Sequence, residues 1–235
     1  AFNEETSITA RPEEVGNAVP GMDVLIISDG SIDGTSRVVR ASSNLLLDLP
    51  CNLGVGGAVQ AGFQYAFAHG YEFVVRIDAD GQHPPGEIPK LMSCMAETQT
   101  NLVTGSRFLG ETEYKSTLFR SFGIRVLAIF LSFICRKRVT DPTSGFQMVD
   151  RKLLAFFSRR YPSEYPEPEA LALIRRQGYG CEEAAVSFRA RLSGESTMTQ
   201  WVTLYHVIKV FLALVIDRAR PIDPRFACES INTEY

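Results

Sequence analysis

Two aspartates one residue apart, Asp78 and Asp80, stand at the end of an apolar run that reaches from Tyr71 to Ile77. Such a run reads as a buried strand, and open α/β sheets bind their ligands just outside the strand ends. Two hard carboxylate oxygens on a short turn suit Mg²⁺ or Mn²⁺, which are held by one or two carboxylates plus substrate phosphates. Gln82 follows at the same turn and can add an amide oxygen. An Asp-x-Asp alone is also what an ordinary acidic turn looks like, so the rest of the chain has to decide. A third aspartate, Asp141, opens a Pro-Thr-Ser-Gly turn that points its carboxylate into a loop; it reads equally as an Asx-type turn residue.

The elements that must position these groups alternate along the first half of the chain. Val24 to Ile27 is a β-branched run that ends in the polar turn Ser28 to Thr35. Ser36 to Ala41 reads as a short helix and Leu45 to Leu49 as a second apolar run, stopped by Pro50. A glycine turn, Asn52 to Ala58, opens a helix through about His69, whose Ala58, Ala61, Gly62, Tyr65 and Ala66 form a small-residue face. Phe73 to Ile77 is the strand before the aspartates, Glu87 to Met95 a helix, and Leu102 to Thr104 a brief strand before Gly105-Ser106-Arg107. Strands alternating with helices argue an α/β fold with a mostly parallel sheet. Two longer apolar stretches follow, Phe119 to Ile134 and Trp201 to Ile216, each short of the roughly 20 residues that span a bilayer. Both read either as core-packing helices or as interfacial ones, apolar face down with basic groups toward lipid phosphates.

Composition narrows the field. The chain has 235 residues, 45% hydrophobic and 22% charged, enough to bury a large core as one domain with a small appendage. A net charge of −3 gives nucleic acid no electrostatic footprint. The five cysteines are scattered with no Cys-x-x-Cys, which argues against a zinc site or a redox pair and fits a reducing compartment. No signal-peptide pattern is visible.

Taken in order, the motifs resemble a known family. Asn3-Glu4-Glu5 is followed by Asp29-Gly30-Ser31 with Asp33-Gly34-Thr35, then by Asn52-Leu53-Gly54 with Gly56-Gly57-Ala58, then by Asp78-Ala79-Asp80-Gly81-Gln82-His83. Gly105-Ser106-Arg107, Asp141-Pro142-Thr143-Ser144-Gly145-Phe146, and Arg191 with Gly194 and Ser196 complete the series. The chain resembles a family 2 glycosyltransferase of the GT-A fold, and most of all the dolichyl- and polyprenyl-phosphate sugar transferase branch.

That resemblance implies a nucleotide-sugar donor, a divalent metal, Mg²⁺ or Mn²⁺, and inversion at the anomeric carbon. The metal falls to Asp78, Asp80 and Gln82. The donor falls to Asn3, Glu4, Glu5, Asp29, Ser31, Asn52, Gly54, Asp78 and Ala79, with Arg191 and Ser196 on a late loop closing over the diphosphate. Asp33 reads as a turn cap, and Gly56 and Gly57 as close helix–strand packing. Arg107 and Arg120 match arginines that hold the acceptor lipid phosphate, for which a guanidinium fork is suited; for Arg120 a solvated helix position is the other reading. Asp80, Asp141 and Arg107 fall at the reaction centre, and Glu169 sits at an acidic position on a helix start, where it orients the acceptor or favours the helix dipole.

The family's pattern is not met throughout. Ser28 stands where an aspartate pair is usual, Thr197 stands where a lysine follows Ser196, and Pro12 falls where the first helix should run, so that helix must start late or break. The family's sheet also has a central lead-in strand, expected to be missing ahead of Ala1, which would leave an unpaired gap and a poorly stable chain. The expected division is a catalytic domain over 1–200 and an amphipathic, interfacial tail over 201–235. The leading expectation is transfer of a sugar to a polyprenyl phosphate at the cytoplasmic face of a membrane. Transfer to a saccharide hydroxyl, with Asp141, Glu167 or Glu169 as base, is one alternative. A nucleotidyltransferase is another, though Asn3 to Ile8 is not the glycine-rich basic loop it would need. A catalytically degenerate nucleotide-sugar binding protein is the last.

Overall fold

The computed structural model describes residues 1–8, 10–109, 118–189 and 209–216, the side chains of Arg11 and of residues 118–120 aside. The first strand is β1, Leu25–Ser28, followed by α2, Thr35–Arg40, and by β2, Leu45–Asp48. Ahead of them α1, Ala10–Ala18, carries Pro12 inside its first turn. Proline is tolerated there because first-turn N–H groups lack helical partners, so the helix starts late and stays intact. The glycine turn opens α3, Gly54–Ala68, and β3, Phe73–Arg76, leads to the aspartates. A 3-10 turn, Pro85–Glu87, precedes α4, Ile88–Thr98, and β4, Leu102–Ser106. The rest is α5, Leu118–Cys135; β5, Gln147–Asp150; α6, Arg151–Arg159; α7, Pro166–Arg176; β6, Cys181–Ala185; and a helical segment over 209–216.

β1 and β2 pair in parallel. The other strands form a sheet in the order β3-β5-β4-β6, in which β5 alone runs against its neighbours and β4 and β6 pair in parallel. The backbone of Ala1 runs alongside β1: its amino group donates to Ile27 O at 2.7 Å and its carbonyl accepts from the Asp29 N–H at 2.8 Å.

Alternate residues of a strand face opposite sides of a sheet, and here each side has its own core. Leu102 of β4 and Val149 of β5 join Phe63 of α3, Leu131 of α5, Phe156 of α6, Ile174 of α7 and Leu214. Their chain neighbours Val103 and Met148 join Ile88, Leu91 and Met95 beneath α4. Helices therefore cover both faces. A third, smaller cluster of Ile8, Ile26 and Val39 lies by β1.

Three glycines of α3 serve three different neighbours, which corrects the expectation for Gly56 and Gly57. A Cβ on Gly56 would fall 2.3 Å from the carbonyl oxygen of Pro162, so Gly56 packs on the loop after α6 and not on a strand. A Cβ on Gly57 would meet Leu53 at 2.6 Å, within its own turn. Helix–strand contact is made by Gly62, where a Cβ would lie 2.4 Å from Ile27 Cδ1.

Candidate functional site

Three loops meet at the end of β1. The Asn3 N–H donates to Ser31 Oγ at 3.1 Å, and Asn3 Oδ1 accepts from the Ile32 N–H at 3.0 Å. The Glu4 N–H donates to Thr35 Oγ1 at 2.9 Å, and a Glu5 carboxylate oxygen accepts from the Gly34 N–H at 3.0 Å. Asp33 accepts from the backbone of Thr35 and of Glu5, the turn-capping role expected of it. Asp29 is buried, and its Oδ1 accepts from the Leu53 N–H at 2.7 Å, which ties this loop to the glycine turn. Asn52 Oδ1 accepts from the Gly54 N–H at 3.0 Å and sets the start of α3, where Gly54 has φ +76°. The structure thus brings Asn3, Glu4, Glu5, Asp29, Ser31, Asn52 and Gly54 together. Ala79 packs against the cluster under the same loops, so the aspartate turn adjoins them.

On that turn Asp80 Oδ1 accepts from the Gln82 N–H at 3.0 Å, which fixes the two residues on one bend. Asp78 is placed differently. Its Oδ1 accepts from Arg76 Nη2 at 3.2 Å, and its backbone N–H donates to His83 Nδ1 at 3.0 Å. Packing around Asp78 would raise its carboxyl pKa, but Arg76 holds it below the usual carboxylate range. Burial lowers the His83 pKa and keeps the ring neutral, with Asp78 and Asp80 opposing. Burial also works against the charge on Arg76, but Asp78 and Glu167 outweigh it and hold the guanidinium protonated.

A metal would have to fit this set. Among the described residues no group of three His, Cys, Asp or Glu forms a cage. A hard cation that draws the rest of its shell from water and substrate phosphates needs no cage, only one or two carboxylate or amide oxygens. The Asp80–Gln82 bend offers those, so the donor set fits Mg²⁺ or Mn²⁺. Asp78, whose charge Arg76 already balances, is the weaker of the three expected ligands.

The second centre is an ion pair. Arg107 follows β4, and its Nε and Nη2 donate to Asp141 Oδ2 and Oδ1, each at 2.7 Å. The Arg107 backbone N–H adds a bond to Oδ2 at 3.1 Å, and Nη2 also donates to Thr143 Oγ1 at 2.8 Å. The side chains are 6% and 0% exposed. Glu183 of β6 holds this loop by accepting from the N–H groups of Thr140 and Asp141, both at 2.9 Å. One ring joins the two centres: Phe188 meets His83 edge-on at 5.2 Å and lies 5.2 Å from the Arg107 guanidinium.

Glu169 and Glu167 both lie in the first turn of α7, roughly 200° apart around the helix. Glu167 is ion-paired to Arg76 at 2.7 Å. Arg120 belongs to α5, but its side chain lies outside the described residues, as do Arg191, Ser196 and Thr197. Sequence reading assigned no role to Arg76, Phe188 or Glu183. An arginine inside the apolar run Phe73 to Ile77 was the available signal, since a buried charge demands a partner.

Comparison with known proteins fits this geometry. Residues 1–157 match the family described as Glycosyl transferase family 2. An undecaprenyl-phosphate mannosyltransferase of Micrococcus luteus is 27% identical over 230 residues, covering 89% of each chain. A UDP-N-acetylglucosamine–dolichyl-phosphate N-acetylglucosaminyltransferase of Methanococcus voltae is 24% identical, covering 92% of this chain and 96% of its own. Glucosyl-3-phosphoglycerate synthase of Mycobacterium tuberculosis, crystallised with Mn²⁺, UDP and phosphoglyceric acid, superposes with a TM-score of 0.69. It is 20% identical, and the match covers 95% of this chain and 77% of that one.

Proposed function

Because the chain belongs to glycosyl transferase family 2, and is a glycosyltransferase with the GT-A fold, we propose that it moves a sugar from a nucleotide-sugar donor to a polyprenyl phosphate. The observation that carries the choice of acceptor is the state of the carboxylates. A saccharide hydroxyl needs a general base within hydrogen-bond reach, whereas a lipid phosphate is already anionic. Asp141 has both oxygens on Arg107, and Glu167 is ion-paired to Arg76. Carboxylates so engaged favour a nucleophile that needs no base. The names of the full-length relatives, which act on undecaprenyl and dolichyl phosphate, support the same acceptor.

In this reading Asn3, Glu4, Glu5, Asp29, Ser31, Asn52 and Gly54 seat the donor nucleotide, with Arg191 and Ser196 closing over its diphosphate. Asp80 and Gln82 hold a divalent cation, Mg²⁺ or Mn²⁺, beside Asp78 and Ala79. When bound, that cation offsets charge on the leaving nucleoside diphosphate. Arg107, locked in one plane by Asp141, presents a fixed cationic edge to the acceptor phosphate, with Arg120 and Glu169 on the acceptor side. A phosphate oxygen attacks the anomeric carbon as the bond to the diphosphate breaks, which inverts that centre.

The acceptor's lipid also has a surface to meet. Phe122, Ile129 and Phe133 of α5 are 68%, 72% and 82% exposed, and with Val126 they form one stripe at helical spacing. Phe211, Leu212, Val215 and Ile216 extend the apolar surface, and Phe211 stacks on Phe130 at 3.7 Å. α5 carries no acidic residue, and Arg125 on it is exposed. No helix among the described residues is long and apolar enough to cross a membrane. These features support peripheral contact with anionic lipid.

The test is a product assay. Undecaprenyl or dolichyl phosphate in detergent is supplied with UDP- and GDP-sugars and Mn²⁺, and lipid-linked sugar is sought by mass spectrometry. The expected product disappears with EDTA and in Asp80→Ala. Sugar transfer to a saccharide with none to lipid would overturn the acceptor, and donor binding without any transfer would point to a degenerate protein.

A further inference from the structure

We propose that Arg76 is a positioning residue for the donor side of this site, with Glu167 as its anchor; the proposal rests on reading the Asp78–Gln82 turn as the donor site. Arg76 ends β3 opposite Gln147 of β5, and its side chain is 8% exposed. One guanidinium spans two carboxylates: Nη2 is 3.2 Å from Asp78 Oδ1, and Nη1 is 2.7 Å from Glu167 Oε1. The same group comes close to Gly145. A Cβ there would fall 2.9 Å from Arg76 Nη2, 2.9 Å from Asp78 Oδ2 and 3.1 Å from Arg76 Cζ. Three parts of the chain therefore meet at Arg76: the aspartate turn, the loop that begins at Asp141, and the start of α7.

An apolar side chain would fill a buried strand position at least as well, since a buried ion pair is no more stabilising than good apolar packing. What the pair adds is direction. Asp78 keeps 42% of its side-chain surface open, so Arg76 holds one oxygen and leaves the carboxylate presented at the site. Glu167 fixes the far end of the guanidinium, and Gly145 lets the pair lie against the loop that carries Asp141. The contact thus sets the donor turn against the Arg107–Asp141 centre. Lysine cannot replace this geometry, because an ammonium lacks the planar fork that meets two carboxylates at once.

The experiment is calorimetric titration of UDP and GDP, each with Mn²⁺, alongside thermal unfolding. Wild type is measured first, and binding of neither nucleotide would remove the donor-site reading and this inference with it. The variant is the double Arg76→Gln, Glu167→Gln, which removes the buried cation together with its anchor and leaves Asp78, its side chain 42% exposed, as the one carboxylate of the three-group contact. Expected is nucleotide binding about tenfold weaker, about 1.4 kcal/mol, with the unfolding midpoint within a few degrees of wild type. Binding within twofold of wild type in the folded double variant would make the pair a structural strut and overturn the proposal. Should the double variant not fold, Arg76→Lys decides on the same criterion: about tenfold weaker binding supports positioning, and unchanged binding refutes it.

Discussion

Asp141→Asn should destabilise this protein by far more than its small change in shape suggests. Oδ2 of Asp141 accepts from Arg107 Nε at 2.7 Å and from the Arg107 N–H at 3.1 Å, and Oδ1 accepts from Nη2 at 2.7 Å. The Asp141 side chain is sealed from solvent at 0% exposure, and Arg107 keeps only 6% of its side chain open. An asparagine keeps one carbonyl acceptor but turns an NH₂ group toward the guanidinium and leaves a buried cation without its counter-charge. Breaking a buried pair in this way costs about 3–5 kcal/mol. In a chain of this size each kcal/mol lowers the melting midpoint by about 2–4 °C, so the expected drop is roughly 6–20 °C. Differential scanning calorimetry and urea unfolding give the number. The double variant Arg107→Met, Asp141→Leu removes both charges and should recover most of the stability, yet make no product. An Asn variant melting within 2 °C of wild type would refute the claim that buried Arg107 depends on the Asp141 charge. A double variant that still turned over would remove the pair from the site.

Other expectations follow from single contacts. Gly145→Ala places a methyl 2.9 Å from Arg76 Nη2 and Asp78 Oδ2; overpacking of this kind costs about 1–3 kcal/mol and should weaken nucleotide binding in the same titration, whereas unchanged binding and melting would show that the loop yields freely. Phe133→Asp changes a side chain that is 82% exposed, so stability should hold within about 0.5 kcal/mol while sedimentation with anionic vesicles falls several-fold; equal sedimentation would remove α5 from the lipid face. Among the described cysteines, Cys51 is exposed and Cys135 and Cys181 are buried, and burial pushes the Cys135 thiol up to about 12. Peptide mapping after brief alkylation of the native protein should therefore find label on Cys51 and none on Cys135 until the chain is unfolded; equal labelling of both would contradict the core around α5.

Much of this was legible because local pattern sufficed. The runs at Leu25 and Phe73 and the glycine turn at Asn52 carry their element type in their own residues, and Asp33 does in the structure what a turn aspartate does anywhere. What pattern does not encode is which distant group comes near. Gly56 faces the Pro162 carbonyl, a contact that depends on how α6 ends and that leaves no trace in the spacing of α3. On sequence alone Arg107 and Asp141 both fall at the reaction centre, Arg107 also as an acceptor ligand, but nothing in their spacing makes them partners; the parallel pairing of β4 with β6 and the grip of Glu183 on the Asp141 loop make them one buried pair. Arg76 passes in sequence as part of an apolar run although a charge there demands a partner, and its pairing with Glu167 is decided by the phase of α7, which two carboxylates one residue apart leave open. β5, four residues without alternation, reverses direction in the sheet for reasons of connection and not of composition.

The central claim is that the Asp78–Gln82 turn holds the donor diphosphate through a divalent cation. Diffraction at the manganese edge from crystals grown with Mn²⁺ and UDP or GDP tests it most directly. One anomalous peak bonded to the Asp80 carboxylate is expected, with Gln82 beside it and the diphosphate on the side away from the turn. Nucleotide bound with no metal at that turn, or a manganese peak bonded elsewhere in the molecule, would contradict it.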